Sequence, residues 1–214
     1  MQHYAELHFL KTGMYRFISH DNGQQIDKFL TARDVAAAFT QVDHDSGWLP
    51  AGLVRTGYCS LGAYTVYFVP SGKHRITVEW DNTLLTWTVP LPSMVMLAVG
   101  KRHYLAAIKE KHFSRDAVVH HTPLPNVYTN GDGAICWGSN APPEASVETA
   151  RKAWRLFIES YFNTHLSTGK LKNHESVLEF LKGLNGKHQF PKSELVPLAR
   201  GGMTVERWTG NLIP

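Results

Sequence analysis

The feature that most constrains this chain is a change of hydrophobic period on either side of one irregular segment. Before it, from Thr56 onward, "YTVYFVP", "KHRITVEW", "TLLTWTV" and "SMVMLAVG" follow one another, rich in Val, Thr, Ile, Tyr and Trp. Ser71-Gly72, Asp81-Asn82 and Pro90 to Ser93 separate them. β-branched and aromatic side chains suit a pleated, half-buried surface, and turn residues at such close spacing predict an antiparallel meander of about three or four strands. After the segment, Val147, Ala150, Trp154, Ile158, Tyr161 and His165 recur at helical intervals. They lie behind Ser146, a good N-cap, with Glu148 in the first turn, where the helix dipole favours an anion. Strands, then a loop, then helices is an α+β plan.

The flanks extend this plan. Tyr4 to Leu10 and Met14 to Ile18 surround a Lys-Thr-Gly turn and predict a hairpin, and Thr31 to Asp34 ahead of Val35 to Phe39 predicts a short capped helix. Residues 1–50 read as an N-terminal hairpin and short helix, either part of the domain or an extension packed on it, and residues 51–170 as the core, with its loop at 120–146. Residues 171–214 carry a second helix, from Asn173 through Val177, Leu178, Leu181 and Leu184 to Gly186. The tail beyond it, with Pro191, Pro197 and Gly201-Gly202, reads as irregular.

Composition excludes several classes of function. Of 214 residues 43% are apolar, enough for a real core, and the net charge of +4 is spread in ones and twos, as in Lys101-Arg102, so nucleic-acid binding is not indicated. Cys59 and Cys136, the only two cysteines, make neither a disulfide framework nor a paired zinc motif, which fits a reducing compartment. The first residues, MQHYAELHFLKTG, lack the parts of a signal peptide, and no apolar run reaches membrane length, so the expectation is a cytoplasmic protein away from membranes.

The irregular segment itself, "TPLPNVYTNGDGAICWGSNAPPEAS", places Cys136 among prolines and glycines. A nucleophilic thiol must be reachable and partly ionised, and a loop at the rim of a sheet gives it exposure and nearby backbone N–H groups. The glycines of "NGDGA" can take positive φ, and Asn126 offers a neutral donor of the kind that stabilises an oxyanion. Cys59, in "RTGYCSLGAY", alternates with a strand and reads as a packed or simply an exposed residue. Trp137 reads as a lid beside the thiol or as an anchor for the loop.

"PLPNVYTNGDGAICWG" resembles the active-site signature of ubiquitin-conjugating enzymes, in which a His-Pro-Asn tripeptide precedes an Ile-Cys whose cysteine carries the thioester. The match is closer to the divergent bacterial branch found in PRTRC gene cassettes, the protein B family, and covers roughly residues 55 to 165. The resemblance implies a fold like that of the conjugating enzymes: an antiparallel meander, an irregular active-site loop and C-terminal helices. It also implies an acyl carrier that takes a ubiquitin-like protein onto Cys136 and passes it to an amine, with no metal or organic cofactor. Cys136 matches the thioester cysteine, and Asn126 the asparagine that stabilises the tetrahedral intermediate. Two departures stand out: Leu124 replaces the motif histidine, and the interval from Asn to Cys is about two residues longer, the excess falling in Asn130-Gly131-Asp132-Gly133. His120 and His121 lie just upstream, and His121 is the third candidate catalytic residue, as a base or a structural hydrogen-bonder. The implied partners are a ubiquitin-like protein, an activating-enzyme-like ThiF-family protein and a JAB-type metallopeptidase from the same cassette.

Two other classes compete. A non-catalytic binding module on the same fold would bind partners without Cys136. A papain-like hydrolase would pair Cys136 with His120 or His121, but here the cysteine does not open a helix, the position from which such nucleophiles gain acidity. A zinc site from His120, His121 and Cys136 would need a fourth ligand and an unusual spacing.

Overall fold

The computed structural model describes residues 4–21, 23–40 and 48–214. The chain divides into two compact units, Met1–Trp48 and Leu49–Pro214. In the first, strands β1 (Tyr4–Phe9), β2 (Tyr15–Asp21) and β3 (Gln24–Leu30) form an antiparallel sheet in sequence order. The hairpin is there, and β3, an exposed and largely polar strand that hydrophobic alternation does not reveal, extends it. Helix α1 (Ala32–Thr40) follows and opens with a capping box. The Thr31 Oγ1 accepts from the Asp34 N–H at 3.2 Å, while the Thr31 N–H donates to the Asp34 carboxylate at 2.8 Å.

The second unit is built on one long bent hairpin. Strands β5 (Gly62–Val69) and β6 (Gly72–Trp80) make one arm, and β7 (Thr83–Leu91) and β8 (Ser93–Val99) the other. Register is unbroken through the bend: Val69 faces Met94 and Gly72 faces Leu91, so neither arm inserts a residue. Pro70 and Pro92 lie at the bend, where the missing N–H groups interrupt the ladder. There the Ser71 N–H donates to the Ser93 Oγ at 3.2 Å instead. Ser71-Gly72 is thus a kink and not a turn. The tip at Asp81-Asn82 is a true two-residue turn, with φ of +48° and +58°, as the right-handed twist of a hairpin requires.

Strand β4 (Leu53–Cys59) pairs with β5 and strand β9 (Arg102–Ile108) with β8, giving a four-stranded antiparallel meander in the order β4-β5-β8-β9. The meander has four arms, but "KHRITVEW" and "TLLTWTV" lie beyond the bend, in a second sheet with the two-residue strand β10 (Tyr161–Phe162) parallel to β6. Every residue of β8 is buried, because both faces of the meander are covered.

On one face lie helix α2 (Ala150–Glu159), through Ala153, Trp154 and Phe157, and helix α3 (Val177–Leu184), through Val177, Leu178 and Leu181. On the other lies helix α4 (Val205–Leu212), whose Val205 and Trp208 pack with Val95, Leu97 and Ala106. Four expectations change here. Helix α2 is shorter than its apolar period: the chain turns extended at Ser160, and Tyr161 and Phe162 join the sheet. Ser146 caps a turn before the helix, accepting from the Thr149 N–H at 3.3 Å. Helix α3 starts at Val177, where Ser176 caps the Glu179 N–H, and not at Asn173. The tail expected to be irregular contains α4, capped by Thr204.

Candidate active site

The loop 120–146 is less irregular than its composition. A free sheet edge exposes unpaired N–H and C=O groups, and the loop covers that of β9 twice. His120 exchanges both backbone bonds with Ala107, at 2.8 and 2.9 Å. Further on, the Leu105 N–H donates to the Gly133 carbonyl at 2.8 Å, and the Ile135 N–H to the His103 carbonyl at 2.9 Å. Gly133 is required by this approach: its φ is +75°, and a Cβ there would stand 2.6 Å from the Leu105 carbonyl oxygen.

Between these two contacts the chain folds on itself. Val127 pairs with Ile135, the Tyr128 N–H donates to the Ala134 carbonyl, and the Cys136 N–H donates to the Asn126 carbonyl, both at 2.8 Å. Asn126 and Cys136 are therefore backbone neighbours at the base of a small hairpin. The long Asn130 to Gly133 turn lies beyond the pairing, so extra residues there do not separate the two. Asn126 sits at φ +60°, a left-handed conformation that asparagine tolerates better than most residues.

Both residues line a cleft of about 180 Å³, together with Trp137 to Asn140, Phe157, Ser160, Tyr161, Asn163 and His165. Cys136 is half-buried and its thiol is free. The lining holds no carboxylate, lysine or arginine, and three of its members are asparagines. Two of their amides are engaged: Asn140 donates to the Ser160 Oγ at 3.1 Å, and Asn163 accepts from the His165 N–H at 2.9 Å. The Asn126 carboxamide hydrogen-bonds to no other described residue, which leaves a neutral donor on a residue that lines the same cleft as Cys136. Trp137 is an anchor, with its ring edge-on to His103 at 5.1 Å and to Phe157 at 6.0 Å.

The histidines upstream do not join this cleft. His120 is buried in the β9 pairing, and His121, also buried, donates its N–H to the Val196 carbonyl. Burial, then the charge of Lys170, holds the His121 pKa below its ordinary value; burial, then Lys109, does the same for His120. The imidazole at the cleft is His165, an exposed residue whose sequence position suggested only a helix face. Among the described residues no group of three His, Cys, Asp or Glu side chains is arranged to hold a metal ion, and no helix is long and apolar enough to cross a membrane.

Comparison with known families bears on what such a cleft does. The family model of prokaryotic E2 family D matches residues 27–198. The chain belongs to that family. This E2-like kinship agrees with an α+β protein of antiparallel sheets and few helices, and it suggests a conjugating transferase. No curated protein and no solved structure matches the chain. The matched span takes in the whole candidate site: the loop with Cys136, α2, and the segment bearing His165 and Lys170. Sequence reasoning named Cys136 and Asn126. It did not single out Gly138 to Asn140, although they belong to the same loop, and it missed the contributors from residues 160–165, whose local pattern does not mark them as neighbours of the loop.

Proposed function

We propose that this E2-family chain is a ubiquitin-conjugating-like acyl carrier with Cys136 as its nucleophile. An activating enzyme of the ThiF type presents a ubiquitin-like protein as a thioester. The Cys136 thiolate attacks the carbonyl carbon, a new C–S bond forms, and the activating enzyme's thiolate leaves. An amine then attacks the same carbon; the C–N bond forms, the Cys136 C–S bond breaks, and the amine's proton passes to a base or to water. Both steps build negative charge on one oxygen, where an amide donor such as that of Asn126 lowers the barrier without taking part in proton transfer.

The observation that carries this reading is a free, half-buried thiol sharing an uncharged, amide-lined cleft with Asn126 in a chain of this family. Aromatic and asparagine walls suit a neutral backbone being passed through, and on this reading two large partners reach the half-buried Cys136 in turn. Activation consumes ATP and the thiol must stay reduced, which puts the reaction in the cytoplasm. A JAB-type metallopeptidase is the expected partner for releasing conjugates.

The test is to mix the purified chain with the ThiF-family and ubiquitin-like proteins and ATP. Wild type gives an adduct that dithiothreitol removes. Cys136→Ala gives none, and any adduct on Cys136→Ser survives the thiol as an oxyester. If wild type and Cys136→Ser behave alike, the carrier reading fails.

A further inference from the structure

Residues 163–170 reach back from β10 to the turn that carries Asn126 and grip it at both ends. His165 offers its carbonyl to the Asn126 N–H at 3.1 Å, and the Lys170 Nζ donates to the Leu124 carbonyl at 2.6 Å. Within the turn Pro125 has no N–H to give and Asn126 is left-handed, while the fully buried Leu124 side chain seats its start in the core. Lys170 is 1% exposed, and among the described residues no carboxylate pairs with it. The neighbour that registers its charge is His121, from the strand-like segment that leads into the loop.

Such a lysine is an expensive way to fill a core. Removing an ammonium from water without a counter-ion costs free energy, and burial draws the Lys170 pKa down to about 7. A methionine would occupy much the same space without that cost. What the amine adds is a hydrogen bond to the Leu124 carbonyl, which fixes the direction of a backbone whose Leu124 side chain is already seated in the core.

We propose that Lys170 is a positioning residue: its amine pins the Leu124 carbonyl, so that Asn126 stays paired to Cys136 at the mouth of the cleft. Its consequence for catalysis rests on the carrier reading; its effect on the loop does not.

The decisive measurement is amide hydrogen exchange on the isolated protein. Lys170→Met is expected to fold at least as stably as wild type near pH 7, with β8 amides such as Leu97 protected as before. The Asn126 and Cys136 amides exchange at least about tenfold faster, because the bonds they donate are no longer held in place. Wild-type protection at both amides in folded Lys170→Met overturns the proposal. Should that variant fail to fold, nitrogen NMR of wild type decides: the Asn126 and Cys136 amide shifts follow the titration of the Lys170 Nζ, and flat shifts across it overturn the proposal. Both readouts use the protein alone, so a wild type that forms no thioester fails the carrier reading and leaves this one separately judged. In the conjugation assay Lys170→Met loads and discharges at least about tenfold more slowly, an effect that a lysine serving only to fill space would not produce.

Discussion

The two halves of the loop that meet at Cys136 differ in what holds their backbone. Downstream, Trp137 is wedged between His103 and Phe157, Gly133 and Ile135 are stitched to β9, and the buried Trp208 of α4 donates its indole N–H to the Asp132 carbonyl at 2.9 Å. Upstream, the Leu124 side chain is seated in the core, but the backbone from Leu124 to Asn126 is held by a carbonyl of an exposed segment and by a buried amine. The downstream anchors are themselves favourable, since burying apolar and aromatic surface stabilises the fold while it fixes the loop. The upstream hold works through a polar group that is costly to bury. The downstream half is thus tied to the stability of the whole unit, whereas the polar hold on the upstream backbone can be loosened through one buried amine.

Trp208→Ala gives the sharpest contrast. The side chain is 1% exposed and packs with β8, β9 and the 117–119 segment. Truncation is expected to cost about 3–5 kcal/mol of unfolding free energy in urea, with Cys136 reactivity changed only as the protein unfolds. A loss below about 1 kcal/mol would break the claim that the downstream anchor is a core anchor.

That residue also marks where sequence reading stops. The strands of the bent hairpin were legible because β8 is apolar on both faces and Asp81-Asn82 is a strong turn signal, and the capping box of α1 could be read from Thr31 and Asp34. Helix α4 was not read, although Thr204 as cap, Glu206 in the first turn and Val205, Trp208 and Leu212 at helical spacing are all present. The Gly201-Gly202 pair and the two prolines before it made the whole tail look irregular. In the site, Cys136 and Asn126 stood out by local motif. Their neighbours did not: His165 and Lys170 are brought in by a chain reversal after Ser160, which no local pattern encodes. The same reversal explains why the period running on to Tyr161 and His165 misled, since an apolar residue entering a sheet and one ending a helix look alike in sequence.

The pH dependence of stability separates the halves next. Lys170 has a folded pKa near 7 against 10.5 for the free side chain. Between those values the unfolded chain binds a proton that the native one does not, so stability rises with pH across that window, by at most about 1.4 kcal/mol per unit. The destabilisation is full below about 7. Half-buried His74 and buried His103, His120 and His121 also have lowered pKa values, mainly through desolvation, and their window lies below 6.5. There too the unfolded state binds more protons, so stability falls on acidification. Chemical denaturation as a function of pH should show both slopes in wild type, and only the acidic one in Lys170→Met. A Lys170→Met profile that still rises from pH 7 to 10 would assign the alkaline slope to another group.

Asn126 gives the smallest effect and the finest test, because two roles converge on one residue. Its left-handed backbone alone is reason enough for an asparagine, and its free carboxamide is reason for a catalytic one. Glycine keeps the first and removes the second; alanine removes both. Asn126→Ala is expected to be about 1 kcal/mol less stable than Asn126→Gly, from the strain of a Cβ in that conformation. Both variants should still load on Cys136 and should discharge to an amine about tenfold to a hundredfold more slowly, the loss typical of an oxyanion donor. Equal stability of the two would dispose of the backbone argument. Wild-type discharge by Asn126→Gly would mean that the upstream half positions only a turn, and that the oxyanion is held by backbone amides of the downstream half, next to the cysteine itself.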